Sequence, residues 1–206
     1  MSFGIRVFDT ILDGRRIRHT SKRNAADFWC AFCQSANWNF SYERVHSLVD
    51  VNFFFKKKIK EDVIIFSGHG SDRRGWNLSN GECIKGKTDK LSDFPTKNHN
   101  KIIIFSACLI GNNEKLLISM QNLFNSKMIF AYKQIMYDSY CFIHESILLS
   151  LIEEKCRKKQ DFVESDFNNF LSNTEFMKNM NRRNVKNHPM VMLNNNNKII
   201  QQKVCK

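Results

Sequence analysis

The clearest pattern along the chain is a set of short, unbroken apolar runs set between longer stretches of helical spacing. Val63-Ile64-Ile65-Phe66 and Ile102-Ile103-Ile104-Phe105 each follow polar, charged residues and end abruptly in small ones, Ser67-Gly68 and Ser106-Ala107. Runs rich in β-branched residues and apolar on both faces predict central parallel strands covered by helices on each side. Ile5 to Phe8, Phe40 to Val45 and Met128 to Tyr132 predict further strands. Trp76-Asn77-Leu78 and Glu82-Cys83-Ile84 flank Ser79-Asn80-Gly81, and the Asn-Gly pair predicts a hairpin. Between these runs the spacing predicts helices. One runs from Ala25 to Ser35 behind Asn24 as its cap, with Phe28, Trp29, Phe32 and Cys33 on or near one face. Others run from Val49 to Phe55, from Asn113 to Phe124 and from Ser139 to Cys156.

Alternating strands and helices predict an α/β fold: a three-layer α/β/α sandwich around a mostly parallel sheet of about six strands. Residues 1–156 form that domain in this reading. Residues 157–206 are polar, basic and weakly patterned, and are expected to be a largely helical extension packed on it or appended to it. Asp161 to Met180 is the helical part, and Asn194 to Asn197 a turn or loose loop. There is no internal repeat.

Composition narrows the class. The chain has 206 residues, 42% hydrophobic and 25% charged, the balance of an ordinary globular protein. No apolar stretch reaches the roughly 18 residues that a membrane span needs. The N-terminal Met1-Ser2-Phe3-Gly4-Ile5-Arg6-Val7 lacks the pattern of a signal peptide. Seven cysteines, an odd number at irregular spacing and mostly within apolar runs, predict reduced thiols and a cytoplasmic setting. The net charge is +12, with basic groups at Arg15, Arg16 and Arg18, at Lys56 to Lys58 with Lys60, at Lys155 and Arg157 to Lys159, and at Arg182, Arg183 and Lys186. Such a charge suits nucleic acid or an acidic partner. No nucleic-acid reader motif accompanies it, so a solubilising role is the simpler account.

Two reactive side chains stand where open α/β sheets place their sites, at the carboxyl ends of strands. His69 follows Val63 to Gly68, and Cys108 follows Ile102 to Ala107. If the strands are neighbours, a thiol and an imidazole emerge together, as nucleophilic catalysis requires. Gly70 lets a substrate approach the backbone, and its N–H with that of Cys108 can form an oxyanion hole. Ser106 and Ala107 are small enough not to block a cleft, and Ser106 is a candidate pocket residue.

These pieces resemble a known family. Val63-Ile64-Ile65-Phe66-Ser67-Gly68-His69-Gly70, then Gly75 to Gly81, then Ile102-Ile103-Ile104-Phe105-Ser106-Ala107-Cys108, together look like the caspase-like superfamily of cysteine peptidases. The closest type within it is the CHAT group, related to separases and caspases. The resemblance covers roughly residues 60 to 152, where Met128 to Tyr132 and the helix behind it resemble the family's next strand and helix. It implies a Cys nucleophile, a His acid/base, and cleavage after one preferred residue type without metal or cofactor. There are departures. Ser106 stands where caspases carry Gln, which removes one wall of an aspartate-specific pocket. Leu109-Ile110 intervene before Gly111, and the His-to-Cys separation is shorter than the caspase value of about 50. These push the resemblance toward the CHAT type.

Specificity is less legible. Asp138 can line a pocket for Arg or Lys, whereas Arg18 can favour an acidic residue. A helix N-terminal charge is the simpler role for Asp138, and a solvated loop charge the simpler role for Arg18. Cys30 and Cys33 have the spacing of a redox or zinc half-site, but no second pair exists and both fall on an apolar helical pattern, so core packing is expected. His144 reads as a satisfied core histidine and His99 as a loop residue. The leading expectation is a cysteine endopeptidase with a His69–Cys108 dyad. It would cleave a protein substrate under control of an activating partner or of processing, in a role compatible with bacterial defence. The alternatives are a non-catalytic protein-binding module on the same fold and a basic nucleic-acid-binding protein.

Overall fold

The computed structural model describes residues 2–10, 25–87, 91, 94–179 and 187–202. Its centre is a seven-stranded sheet. In chain order the elements are β1 (Gly4–Asp9), α1 (Ala25–Ala36), β2 (Asn39–Arg44), α2 (Leu48–Phe55), β3 (Val63–Ser67), β4 (His69–Ser71), β5 (Gly75–Asn77), β6 (Cys83–Ile84), β7 (Ile102–Ser106), α3 (Glu114–Phe124), β8 (Met128–Tyr132), α4 (Asp138–Arg157), α5 (Glu164–Asn173), β9 (Met190–Asn194) and β10 (Ile199–Ile200). Three short 3₁₀ turns, Thr96–Asn98, Ile110–Asn112 and Glu175–Asn179, join them.

The strand order is β10-β9-β8-β7-β3-β1-β2. From β2 to β8 all neighbours are parallel. The unbroken apolar runs behave as the pattern dictates: every residue of β3, β7 and β8 is buried. Side chains alternate between two cores. Ile5, Val7, Val63, Ile65, Ile102, Ile104 and Phe130 face α1, α4 and α5 through Trp29, Cys33, Leu148, Ile152, Phe167 and Phe170. Phe8, Ile64, Phe66, Ile103, Phe105 and Ile129 face α2 and α3 through Val51, Phe55, Leu117, Met120 and Phe124. This is the expected three-layer α/β/α sandwich.

Local chemistry sets the element ends. The Ser47 hydroxyl accepts from Asp50 N–H at 3.2 Å while the Asp50 carboxylate accepts from Ser47 N–H at 2.9 Å, a capping box that starts α2. Asn113 caps α3 by accepting from Leu116 N–H at 3.1 Å, and Asn125 ends it in the left-handed region at φ 43°. The second core is lined by a row of rings across three strands, with Phe8 stacked on Phe66 and Phe66 on Phe105 at centroid separations of 5.6 and 5.3 Å.

The C-terminal stretch differs from its expected form. Residues 157–206 do not contribute only a helical extension. α5 packs its Phe167 and Phe170 into the first core, and β9 extends the main sheet by pairing antiparallel to β8 from Met190↔Tyr132 to Asn194↔Met128. β10 returns against β9 through the Asn194 to Asn197 turn, closed by an Asn197 N–H to Asn194 carbonyl bond of 3.1 Å. The sheet therefore has seven strands. Met190-Val191-Met192-Leu193 is too short, and too rich in methionine, to stand out from the polar sequence around it.

Candidate active site

The fold turns direction between β1 and β3: β2 lies to one side of β1, and β3, β7 and β8 lie to the other. At such a switch point the loops leaving the carboxyl ends diverge and open a crevice. His69 follows β3, which borders the switch point, and Cys108 follows β7, one strand further along the same carboxyl edge. β3 and β7 are adjacent and in register, Ser67 opposite Ser106, and each candidate lies two residues past its serine. A Gly68 N–H to Ser106 carbonyl bond of 3.2 Å carries the pairing one residue past β3. His69 is exposed and Cys108 half-buried, so neither is sealed in the core.

His69 does more than end a strand. It opens β4, which pairs with β5 (His69↔Asn77, Gly70↔Trp76) and continues through β6 into a small antiparallel sheet. The expected Asn80-Gly81 hairpin is present, closed by Leu78 N–H to the Glu82 carbonyl at 2.9 Å. Glu82 also accepts from Leu48 N–H at 2.9 Å, and His46 Nδ1 meets Ser79 Oγ at 2.9 Å, so the hairpin is fastened to the start of α2.

Gly70 lies against the Cys108 main chain. A Cβ there would stand 2.7 Å from the Cys108 carbonyl oxygen and 2.7 and 2.8 Å from the Ile110 Cγ1 and Cδ1. Only glycine allows that approach, because real Cβ contacts do not close below about 3 Å. Past the cysteine, Leu109 adopts φ 66° and Ile110 N–H reaches back to the Cys108 carbonyl at 2.9 Å. A left-handed leucine is a strained turn of the kind that collects at functional sites. Sequence reasoning did not anticipate it, since nothing in Cys108-Leu109-Ile110 favours positive φ.

The thiol meets the loop between β8 and α4. Met136 N–H donates to Cys108 Sγ at 3.4 Å, and the thiol points back to the Met136 carbonyl at 3.8 Å. Beside this edge, the β4–β5 turn and the start of α3 enclose an open groove of about 510 Å³ lined by Asp72, Arg73, Asn112, Glu114 and Lys115 among others. Asn113 Nδ2 closes its back by donating to the Asp72 carbonyl at 2.7 Å. Neither His69 nor Cys108 lines it, although its walls continue directly from both loops.

The remaining candidates divide. Ser106, expected to line a pocket, is 1% exposed within β7 and offers substrate no surface; in-register pairing with Ser67 puts it inside the sheet. Asp138 is the first residue of α4 and half-buried, the position where the helix dipole favours a carboxylate. Arg18 lies outside the described residues. Cys33 is buried on α1, and burial first, then the neighbouring Cys30, pushes its thiol up to about 12, which suits packing and not redox work. His144 is fully buried between the Tyr132 hydroxyl and Thr174 Oγ1, each at 3.3 Å, and burial holds it well below the usual imidazole range. His99 closes a loop, its Nε2 2.8 Å from the Phe94 carbonyl.

No protein-family model matches this chain, and no curated protein matches it. Among the described residues no helix is long and apolar enough to cross a membrane.

Proposed function

We propose that this protein is a cysteine endopeptidase in which Cys108 is the nucleophile and His69 the acid/base. The observation that carries the reading is the pairing of two parallel central strands whose carboxyl ends, in register, lead to His69 and Cys108 beside the switch point of the sheet. The Cys108 sulfur attacks the peptide carbonyl and forms a tetrahedral adduct. The proton goes through His69 to the leaving amine, giving a thioester, and water activated by His69 then releases the acid. The Gly70 and Cys108 N–H groups are the proposed oxyanion donors, the two main chains lying close together where Gly70 packs against Cys108. The substrate is a protein, and the open groove of about 510 Å³ beside α3, formed by the segments that follow His69 and Cys108, is the proposed place for part of it. An activating partner or a processing event controls the enzyme in this reading, and bacterial defence is the setting that suits the caspase-like, CHAT-type resemblance. The burial of Ser106 favours a second reading, a protein-binding module on the same fold, because it removes one expected pocket wall.

The test is a panel of acyloxymethyl-ketone peptides with Arg, Asp, Asn or Leu at the reactive end, read by intact mass. The reading expects one label at Cys108, abolished in Cys108→Ala and strongly weakened in His69→Ala. Labelling that ignores His69 and the peptide sequence would instead favour the binding module.

A further inference from the structure

The C-terminal strand touches the Cys108 neighbourhood by two routes. Along the first, Lys133 N–H donates to the Pro189 carbonyl at 2.7 Å and Gln134 Nε2 to the Asn187 carbonyl at 2.8 Å. Both residues belong to the loop between β8 and α4, and two residues later the same loop presents Met136 N–H to the Cys108 sulfur. Along the second, Gly111, three residues past Cys108, packs so tightly that a Cβ would lie 3.0 Å from both the Tyr132 carbonyl carbon and Val191 Cγ2. Gln134 is only 6% exposed and Met136 4%, so both of these loop residues lie inside the protein.

We infer that residues 187–191 position the Cys108 thiol through this loop, with Gln134 as the positioning residue that ties the loop to the strand. An N–H aimed at sulfur stabilises the thiolate over the thiol. Its aim depends on the loop, and the loop is held from outside by the Asn187 and Pro189 carbonyls. Loss of those two carbonyl contacts would let the Met136 N–H swing away from the sulfur, so the residues before β9 help set thiol reactivity. The significance for catalysis rests on the reading of Cys108 as the nucleophile, but the effect is read on the thiol itself and needs no peptidase activity.

The experiment is alkylation of the full chain by iodoacetamide across pH, with each cysteine followed by peptide mass spectrometry and exposed Cys156 as the internal reference. Gln134→Ala removes the tie, and Gln134→Met removes it while keeping the volume. Loss of the donor's aim by about one pKa unit lowers Cys108 alkylation near neutral pH about tenfold, because each unit changes the thiolate fraction by that factor. Both variants should show this fall, with the midpoint of the Cys108 profile moved up and Cys156 unchanged. A profile that Met restores would assign the effect to packing and overturn the inference. The wild-type protein supplies an independent reading: the Met136 amide resonance should titrate with the same midpoint as Cys108 alkylation. An amide that does not move through that range would overturn the inference even if neither variant folds.

Discussion

Gly70→Ala isolates the contact on which the site geometry turns. Gly70 is absent from the glycines with positive φ, so alanine meets no backbone penalty there and the effect is purely steric. The new methyl group would lie 2.7 Å from the Cys108 carbonyl oxygen and within 2.8 Å of Ile110. The Ile110 side chain is fully buried, and the carbonyl is already engaged by Ile110 N–H at 2.9 Å, so neither yields easily. Overpacking of this kind costs about 1–3 kcal/mol. For a chain of this size that lowers the melting temperature by roughly 2–4 °C per kcal/mol. The assay is thermal unfolding beside Cys108 alkylation. Gly81→Ala is the comparison: Gly81 has φ 87° but nothing within 4 Å of its would-be Cβ, so it carries backbone strain without a clash and lies away from the cysteine. Gly70→Ala should lower both stability and the Cys108 alkylation rate, whereas Gly81→Ala should lower stability alone. Equal Cys108 rates in wild type and Gly70→Ala would refute the claim that Gly70 seats the cysteine backbone.

Other predictions follow from burial and charge. Phe66→Ala removes the central ring of the stack between Phe8 and Phe105 and should cost about 3–5 kcal/mol in denaturant unfolding, as large cavities do. Burial chiefly lowers His188 to about 4, so the folded protein holds it neutral while the unfolded chain protonates near 6.5. Its contribution is present above pH 6.5 and is lost as pH falls from there toward 4, an order of about 3 kcal/mol that His188→Gln should remove from the stability–pH curve. Burial alone would raise the Glu61 carboxyl, but hydrogen bonds from Ser41 and Arg6 outweigh it and hold it below its usual range. Glu61→Gln should therefore destabilise the protein at neutral pH, and the difference from wild type should shrink as pH falls through the carboxylate range.

Much of the fold is legible in the sequence because burial on both faces leaves no polar alternation to confuse the strands. Val63–Ser67, Ile102–Ser106 and Met128–Tyr132 follow directly from their apolar runs, and α2 from the apolar, aromatic run Val49 to Phe55, although its capping box at Ser47 and Asp50 is no part of that reading. β9 and the edge strand β10 do not, because the short apolar run Met190 to Leu193 stands in polar sequence and the register of each comes from its neighbour, β8 for β9 and β9 for β10. The positions of His69 and Cys108 at strand ends are similarly legible, but Gly70 reads as room for a substrate, whereas the space beside it is taken by the Cys108 carbonyl and Ile110. The Met136 contact, the Leu109 turn and the Gln134 tie are not, because each depends on main-chain direction or on residues brought together only by the sheet. Ser106 shows the reverse error: a small residue before a reactive one reads as cleft lining, yet the strand carries it inside.

The account depends most on His69 and Cys108 lying side by side at the carboxyl ends of β3 and β7. Nuclear magnetic resonance titration of the His69 ring, in the wild-type protein and in Cys108→Ser, tests this directly. A nearby thiolate favours the charged imidazolium, so the His69 midpoint should fall by about half a unit or more when sulfur is replaced, while the other histidines stay where they were. A His69 midpoint identical in the two proteins would contradict the shared site.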